Sequence, residues 1–495
     1  MSISIKNRLS DGYILCGLVL LNTAVKGWFI GQNSLSGDEP FSVYHAQMEV
    51  ADIVRLLSTG NNPPLYEILL HYWIKLFGIS ELSVRMPSLI FSSVSAMYIF
   101  LLGKTYLNRN IALFSTAIFI FSNYHITLSH ESRVYALLGM LTLISLHSYL
   151  SILSSALKIE SGRFYGRFLL LGCINSLLIY GHYFGFIVLI FQCLYALFNF
   201  RIFKPYWREI CLTVLIILVA YIPNVSIVIH RFSDSKSGTW IPVPNGFDSL
   251  YWMLVVFCNA PITTVFVLLV FMANILKIIR LLFVGNKSDS AKIKQFMFMW
   301  FWVIVLTMFV ISFKMSIFLD RYLMVGAVMF PLSIVVAIDL WAKYPKLQLL
   351  MGSTLVIFFG FTCKPDMANR SEVRSAVELL KEKKSGETVV FVCPDWMDLN
   401  VAYYYNRNSF ENFNAIDIKH NIHQFLKKDN VFPITNATLI PKFLSKNVRH
   451  VLFLDNVSSF HYPQNNVEQT LRREFNEVKS VDFHGGLRVL EFKRE

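Results

Sequence analysis

Apolar runs close to twenty residues long recur from Tyr13 to Thr362, separated by short polar stretches, and then stop. A helix needs about 20 apolar residues to cross the ~30 Å hydrocarbon layer of a bilayer. The pattern predicts about eleven such helices, near 13–30, 87–103, 110–127, 134–152, 167–180, 183–200, 210–229, 251–276, 296–313, 322–340 and 346–362. The fifth is short and its turn into the sixth is tight. Beyond Thr362 the chain reads as water-soluble. It has a helical stretch at Ser371–Lys384, a strand at Thr388–Val392, an aromatic helix at Leu399–Tyr405, a strand at His450–Leu454, an amphipathic helix at Val467–Phe475 and a hairpin turning at Gly485–Gly486. The sequence thus predicts a mainly α, polytopic membrane protein in two domains: 1–363, spanning the membrane, and 364–495, a small α/β domain outside it.

Composition supports the same reading, with 55% hydrophobic and only 16% charged residues, far from a soluble protein of this size. No small-x-small site follows Ile30, so the first run reads as retained rather than cleaved. The net charge of +13 does not point to nucleic acid, because many basic residues sit in short loops between apolar runs and report orientation instead. With Lys6 and Arg8 cytoplasmic, alternate loops carry Lys104/Arg109, Lys158/Arg163/Arg167, Arg201/Lys204/Arg208, Lys277/Arg280/Lys287 and Lys343/Lys346. This places a multi-pass protein in the cytoplasmic (inner) membrane, with residues after Lys364 periplasmic or extracellular. The seven cysteines are scattered, with no CxxC pair and no metal-ligand spacing.

The chemistry collects on the outer side of that orientation. Gly37-Asp38-Glu39-Pro40 sets two carboxylates beyond the first helix. Held away from bulk water, such a carboxylate suits a general base; equally, Asp before Pro reads as a helix cap. In the same loop, Asn61-Asn62-Pro63-Pro64-Leu65-Tyr66 precedes an aromatic, amphipathic stretch from His71 to Gly78, suited to an interfacial helix beside a lipid or to a plain surface anchor. Ser129-His130-Glu131-Ser132-Arg133-Val134-Tyr135 joins two predicted crossings. Ser129 and Glu131 suit a helix start, whereas Arg133 stands where the helix dipole disfavours a cation, which an anionic partner such as phosphate would explain. Tyr180-Gly181-His182-Tyr183 and Asp320-Arg321-Tyr322 lie at the same membrane edge. Ionisable groups at that depth are functional candidates or snorkelling interfacial residues.

Taken in order, the carboxylate pair, Asn-Pro-Pro-Leu-Tyr, Phe-Gly-x-Ser-Glu, Arg-x-Pro-Ser, His-x-x-x-Ser-x-Glu-x-Arg-x-Tyr, Gly-His-Tyr-Phe and Arg-Tyr-Leu resemble the GT-C glycosyltransferases related to protein O-mannosyltransferases and the lipid A aminoarabinose transferase, over about residues 30–340. The resemblance implies transfer of a glycosyl group, with inversion, from a polyprenyl-phosphate-linked sugar to a lipid, glycan or protein acceptor on the outer face, with membrane lipids as surroundings. It implies Asp38 as base, and Glu39 as its neighbour, orienting it or holding a divalent metal such as Mg2+ or Mn2+. Donor phosphate or lipid-sugar binding falls to Arg133 and Arg321, with Glu131, Tyr135, His182, Tyr183, Asn62, Tyr66 and Tyr322. The aminoarabinose enzymes place Glu-Lys before the proline where this chain has Asn61-Asn62, so a different sugar and acceptor are expected.

Two other classes compete. A secondary transporter would place charges at the bilayer midplane within related halves, but the apolar runs here are nearly free of ionisable residues and no internal repeat is visible. A non-catalytic subunit binding a lipid-linked ligand would tolerate Asn at position 38, which an acid–base enzyme would not.

Overall fold

A computed structural model describes residues 2–57, 63–158, 165–227, 229, 241–283, 288–341, 344–368, 370–411, 418–444 and 448–494. Asn61, Asn62, Arg163, His230, Lys287 and Lys343 lie outside the described residues. The chain packs as two compact units: Met1–Trp28, Leu57–Tyr66 and Arg85–Ala368 form one, and Phe29–Leu56, Glu67–Val84 and Asn369–Glu495 form the other.

The first unit is a multi-pass helical bundle. Five helices among the described residues are long and apolar enough to cross a membrane: Glu81–Tyr106, Tyr135–Leu157, Phe200–Ile227, Asp289–Ile311 and Pro345–Thr362. Three further candidates are bent pairs: Arg109–Phe121 with Asn123–Ser129 at 61°, Gly246–Phe257 with Pro261–Ala273 at 104°, and Asp320–Ala327 with Phe330–Asp339 at 47°. The described helices therefore offer five crossings, or eight if each bent pair is one span, against the eleven predicted from apolar runs. Length is one reason: the runs at 167–180 and 183–200 fold as Tyr165–Gly181 and Gly185–Phe198, of 17 and 14 residues, short of the ~20 a crossing needs. The first predicted span falls in Ser2–Gly27, whose sequence also carries Asp11 and Lys26.

Asparagines manage the breaks. A break in an apolar layer frees backbone groups that neighbouring side chains must satisfy. Asn259, in the left-handed region at φ 67°, donates from Nδ2 to the Phe121 carbonyl at 2.8 Å and accepts the Asn123 N–H on Oδ1 at 2.7 Å. One side chain thus ties two helix breaks together. Asn123 in turn donates to the Thr362 carbonyl at 2.8 Å and accepts from the Lys364 N–H at 2.7 Å, closing the end of Pro345–Thr362. Deeper in the bundle, Ser145, Asn175 and Gln192 satisfy one another in a closed ring of hydrogen bonds at 2.6–2.9 Å, as buried polar groups require.

The second unit is α/β. Its five-stranded sheet has the order β2-β1-β3-β5-β4, with β1 Val389–Cys393, β2 Val431–Pro433, β3 His450–Asn456, β4 Asn476–Phe483 and β5 Leu487–Lys493. β1 pairs parallel to β2 and β3, and β5 pairs antiparallel to β3 and β4. Central β1 reads Val-Val-Phe-Val-Cys and is buried throughout, as a strand covered on both faces should be. Phe391, Phe453, Leu490 and Phe492 build the core with Val467 and Leu471 of the helix Val467–Glu474. The β4–β5 hairpin turns at Gly485 and Gly486, at φ 89° and 75°, a backbone only glycine enters without strain. Within this unit Arg374 pairs with Glu81, Tyr403 Oη donates to the Ile79 carbonyl at 2.5 Å, and the Leu35 N–H donates to Tyr404 Oη at 2.6 Å.

Candidate active site

In the first unit the predicted residues converge on the turn between the helices Asn123–Ser129 and Tyr135–Leu157. This turn is pinned from several sides. His130 Nε2–H donates to the Lys26 carbonyl, Ser88 Oγ–H donates to the Glu131 carbonyl at 2.7 Å, and Tyr66 Oη lies 3.2 Å from Ser132 Oγ. Burial and the nearby Arg85 and Lys26 charges hold the His130 imidazole down at about 4, against the opposing pull of its hydrogen bond. Arg133 is only 6% exposed. A fixed, nearly buried turn thus presents a guanidinium beside the start of a long helix.

Arg321 approaches from the short helix Asp320–Leu323, its guanidinium 5.8 Å from the Tyr135 ring and 5.9 Å from that of Tyr322. His182 lies 6.2 Å from Tyr135 and 5.9 Å from Tyr322, ring to ring. It accepts the Phe184 N–H on Nδ1 at 3.1 Å, which requires an uncharged ring. Burial, then the charges of Arg133 and Arg321, pushes this imidazole down to about 3. Both arginines therefore act on one small region floored by Tyr135, His182 and Tyr322, and a phosphate is the kind of ligand that matches two guanidinium groups. Tyr124 Oη–H braces the same region by donating to the Asp320 carbonyl at 2.9 Å.

In the second unit Asp38 stands at the N-cap position of the helix Glu39–Ala46, yet its side chain makes no capping hydrogen bond. Glu39 is buried and accepts the Ser36 N–H on Oε2 at 3.1 Å. A second buried carboxylate, Glu67, accepts from Ser42 Oγ at 2.8 Å. No set of three His, Cys, Asp or Glu side chains among the described residues is arranged to hold a metal ion.

Residues 61–227 match the family model described as dolichyl-phosphate-mannose-protein mannosyltransferase. The whole fold resembles the crystal structure of ArnT from Cupriavidus metallidurans in the apo state, at TM-score 0.57 and 11% identity over 98% of each chain. It matches the same protein bound to undecaprenyl phosphate at 0.57 and 12%, over 97% of this chain and 98% of that one. The family model covers residues 61–227 alone, and the fold is similar to that of GT-C glycosyltransferases. The archaeal oligosaccharyltransferase AglB from Archaeoglobus fulgidus, in complex with an inhibitory peptide and a dolichol-phosphate, is a more distant likeness, at TM-score 0.54 and 8% identity over 98% of this chain and 74% of that one. No curated protein matches the sequence.

Of the expected site residues, Arg133, Arg321, Tyr135, His182 and Tyr322 come together, with Glu131 on the adjoining turn and Tyr66 reaching that turn from the helix Leu65–Phe77. Tyr183 follows His182 in the chain and lies within electrostatic reach of Tyr221, and Asn62 is outside the described residues. Sequence reasoning gave no role to three groups, although Arg85 stands in the Arg-x-Pro-Ser motif. Arg85 is 0% exposed near the start of Glu81–Tyr106, and Lys26 is buried in Ser2–Gly27, with its Nζ 3.0 Å from Ser92 Oγ and over the Phe119 ring at 3.8 Å. Glu67 is the third. Each is an ionisable residue within an apolar helix, a signal that by itself marks a functional candidate.

Proposed function

We propose that this chain is a GT-C glycosyltransferase that transfers a sugar from a polyprenyl-phosphate carrier to an acceptor hydroxyl on the outer face of the membrane, with inversion at the anomeric carbon. Arg133 and Arg321 hold the donor phosphate. Asp38 takes the proton of the acceptor hydroxyl as its oxygen bonds to the anomeric carbon; the bond from that carbon to the phosphate oxygen breaks, and polyprenyl phosphate leaves with the electron pair. Glu39 orients Asp38. The observation that carries the reading is the pair of arginines around the uncharged His182 and Tyr135, a receptor for the donor phosphodiester and for the phosphate dianion that leaves, at the start of a long apolar helix. The undecaprenyl phosphate of the ArnT structure and the dolichol-phosphate of the AglB structure support a lipid-phosphate donor. The same reading keeps 1–363 as the membrane part crossing eleven times, with a cytoplasmic N-terminus, and 364–495 as the outer domain.

The test is transfer by the purified chain in lipid nanodiscs supplied with a labelled polyprenyl-phosphate sugar, alongside mass analysis of glycoconjugates from cells with and without the chain. Loss of one sugar substituent in cells, with donor-dependent release of polyprenyl phosphate in vitro, is expected. Identical glycoconjugates and no release overturn the reading.

A further inference from the structure

The sheet of the second unit contains a topological switch. From β1 the chain leaves through the helices Asp398–Tyr405 and Ile418–Lys428 to β2 on one side. From β3 it leaves through Val467–Glu474 to β4, beyond β5 on the other side. Neighbouring parallel strands whose exits diverge leave a crevice outside their carboxyl ends, where α/β sheets bind ligands. Here the crevice is framed by Asp395 and Trp396 after β1 and by residues 457–462 after β3.

The side chains there have a definite chemistry. Asp395 is nearly buried and uses both oxygens, accepting from Tyr462 Oη at 2.8 Å and from Lys419 Nζ at 2.6 Å. Burial would raise its carboxyl, but these two hydrogen bonds and the Lys419 charge hold it below the usual range. Lys419 keeps 65% of its side chain in solvent, so its remaining donors face outward. Beside this trio, Trp396 stands edge-on to His461 at 5.2 Å, and Phe460 lies 5.4 Å from the same imidazole. Trp396 is 40% exposed and Phe460 71%. Val457, which turns the chain into this cluster, sits at φ 46° and ψ 41°. A β-branched residue in the left-handed region is a genuine outlier, and such outliers cluster at ligand clamps.

We propose that this crevice binds a neutral sugar ring of a glycan, with Trp396 stacked on the apolar face of the ring and Asp395, Lys419 and Tyr462 hydrogen-bonding its hydroxyls. Charge selects the class. The Asp395 carboxylate is matched by Lys419, and that of Asp455 by Arg488 at 3.0 Å, so an ionic ligand would have to separate a pair. Hydroxyls both donate and accept, and they can join these pairs without breaking them. An exposed aromatic ring beside a few fixed polar groups is the composition of a small-ligand site. The inference deepens the proposed transferase reading by giving the outer domain the recognition of a glycan acceptor.

The experiment reads binding alone, with no donor present. Saturation-transfer NMR is recorded on the full chain in nanodiscs with methyl glycosides of mannose, glucose and N-acetylglucosamine, their linear tetrasaccharides, and methyl glucuronide. At least one neutral glycan should bind more tightly than the glucuronide. Trp396→Ala should weaken binding at least tenfold and Trp396→Phe should largely restore it. Lys419→Gln, which keeps a donor to Asp395 at an exposed position, should weaken it severalfold. No neutral glycan binding, preference for the glucuronide, or equal binding by Trp396→Ala and the parent chain overturns the proposal. Binding lost with transfer intact counts against the crevice alone; transfer lost with binding intact counts against the transferase reading alone.

Discussion

An alcohol is a weak nucleophile at neutral pH, so transfer to a hydroxyl needs a positioned group to take its proton, and such a group contributes about 10²–10⁴-fold to rate. Asp38→Asn keeps the size of the side chain and loses that ability. Because Asn caps a helix about as well as Asp, the change should leave protein level and donor binding intact while transfer falls by about two orders of magnitude or more. Full transfer by this variant would move the base to Glu39 or Glu131. Arg133 offers a planar fork to a phosphate, which the point charge of lysine cannot reproduce. Arg133→Lys should weaken donor binding about tenfold, or ~1.4 kcal/mol, measured by titration with polyprenyl phosphate; unchanged affinity makes Arg133 a structural residue. His182 supplies a pH signature. Unfolded, a histidine titrates near ~6.5; folded, this one titrates at about 3. Between those values the unfolded chain binds one more proton, so stability is fully present above about 6.5 and is lost as pH falls toward 3. Thermal unfolding from pH 7 to 4 should show a shallower acid loss in His182→Gln than in the parent, and equal slopes would mean that folding does not hold His182 neutral.

Apolar runs show where a helix can form, but not whether it stays straight. The run at 110–127 breaks near Ser122 and the run at 251–276 turns by 104°, and both breaks are tied by Asn259. Asn259→Gly keeps the left-handed backbone and removes both hydrogen bonds. It should cost about 1–3 kcal/mol, the usual penalty for leaving buried backbone groups unpaired, seen as a lower unfolding midpoint in nanodiscs. A midpoint unchanged within error would show that water satisfies the breaks equally well. The soluble elements were easier to read. Val373–Lys383, β1, Asp398–Tyr405, β3 and Val467–Glu474 all fall within two residues of their predicted ends, because the first and last of these helices are amphipathic and β1 and β3 are short continuous apolar runs bounded by polar residues. β2 was missed: it is three residues long and contains Pro433, and pairing with β1, not its own pattern, makes it a strand.

For the whole molecule, the placing of basic residues in alternate loops predicts a cytoplasmic N-terminus and an outer C-terminus. Reporter fusions at Lys158 and Arg280 should read cytoplasmic, and one at the C-terminus should read outside. An inward-reading C-terminus would remove the odd number of crossings and with it the single-sided clustering of the predicted site residues.

What the sequence determined alone is what depends on neighbours along the chain: the membrane character, the soluble α/β tail, a motif order resembling that of GT-C glycosyltransferases and the candidacy of Asp38, Arg133 and Arg321. What only the tertiary structure decided depends on residues far apart in the chain. Arg133, His182 and Arg321 share one region through packing of separate helices, Glu67 meets Ser42 across 25 residues, and Phe29–Leu56 and Glu67–Val84 join the unit that holds the sheet. Local patterns fix periodicity and burial, whereas the pairing of distant groups follows from close packing and from the need of every buried polar group for a partner.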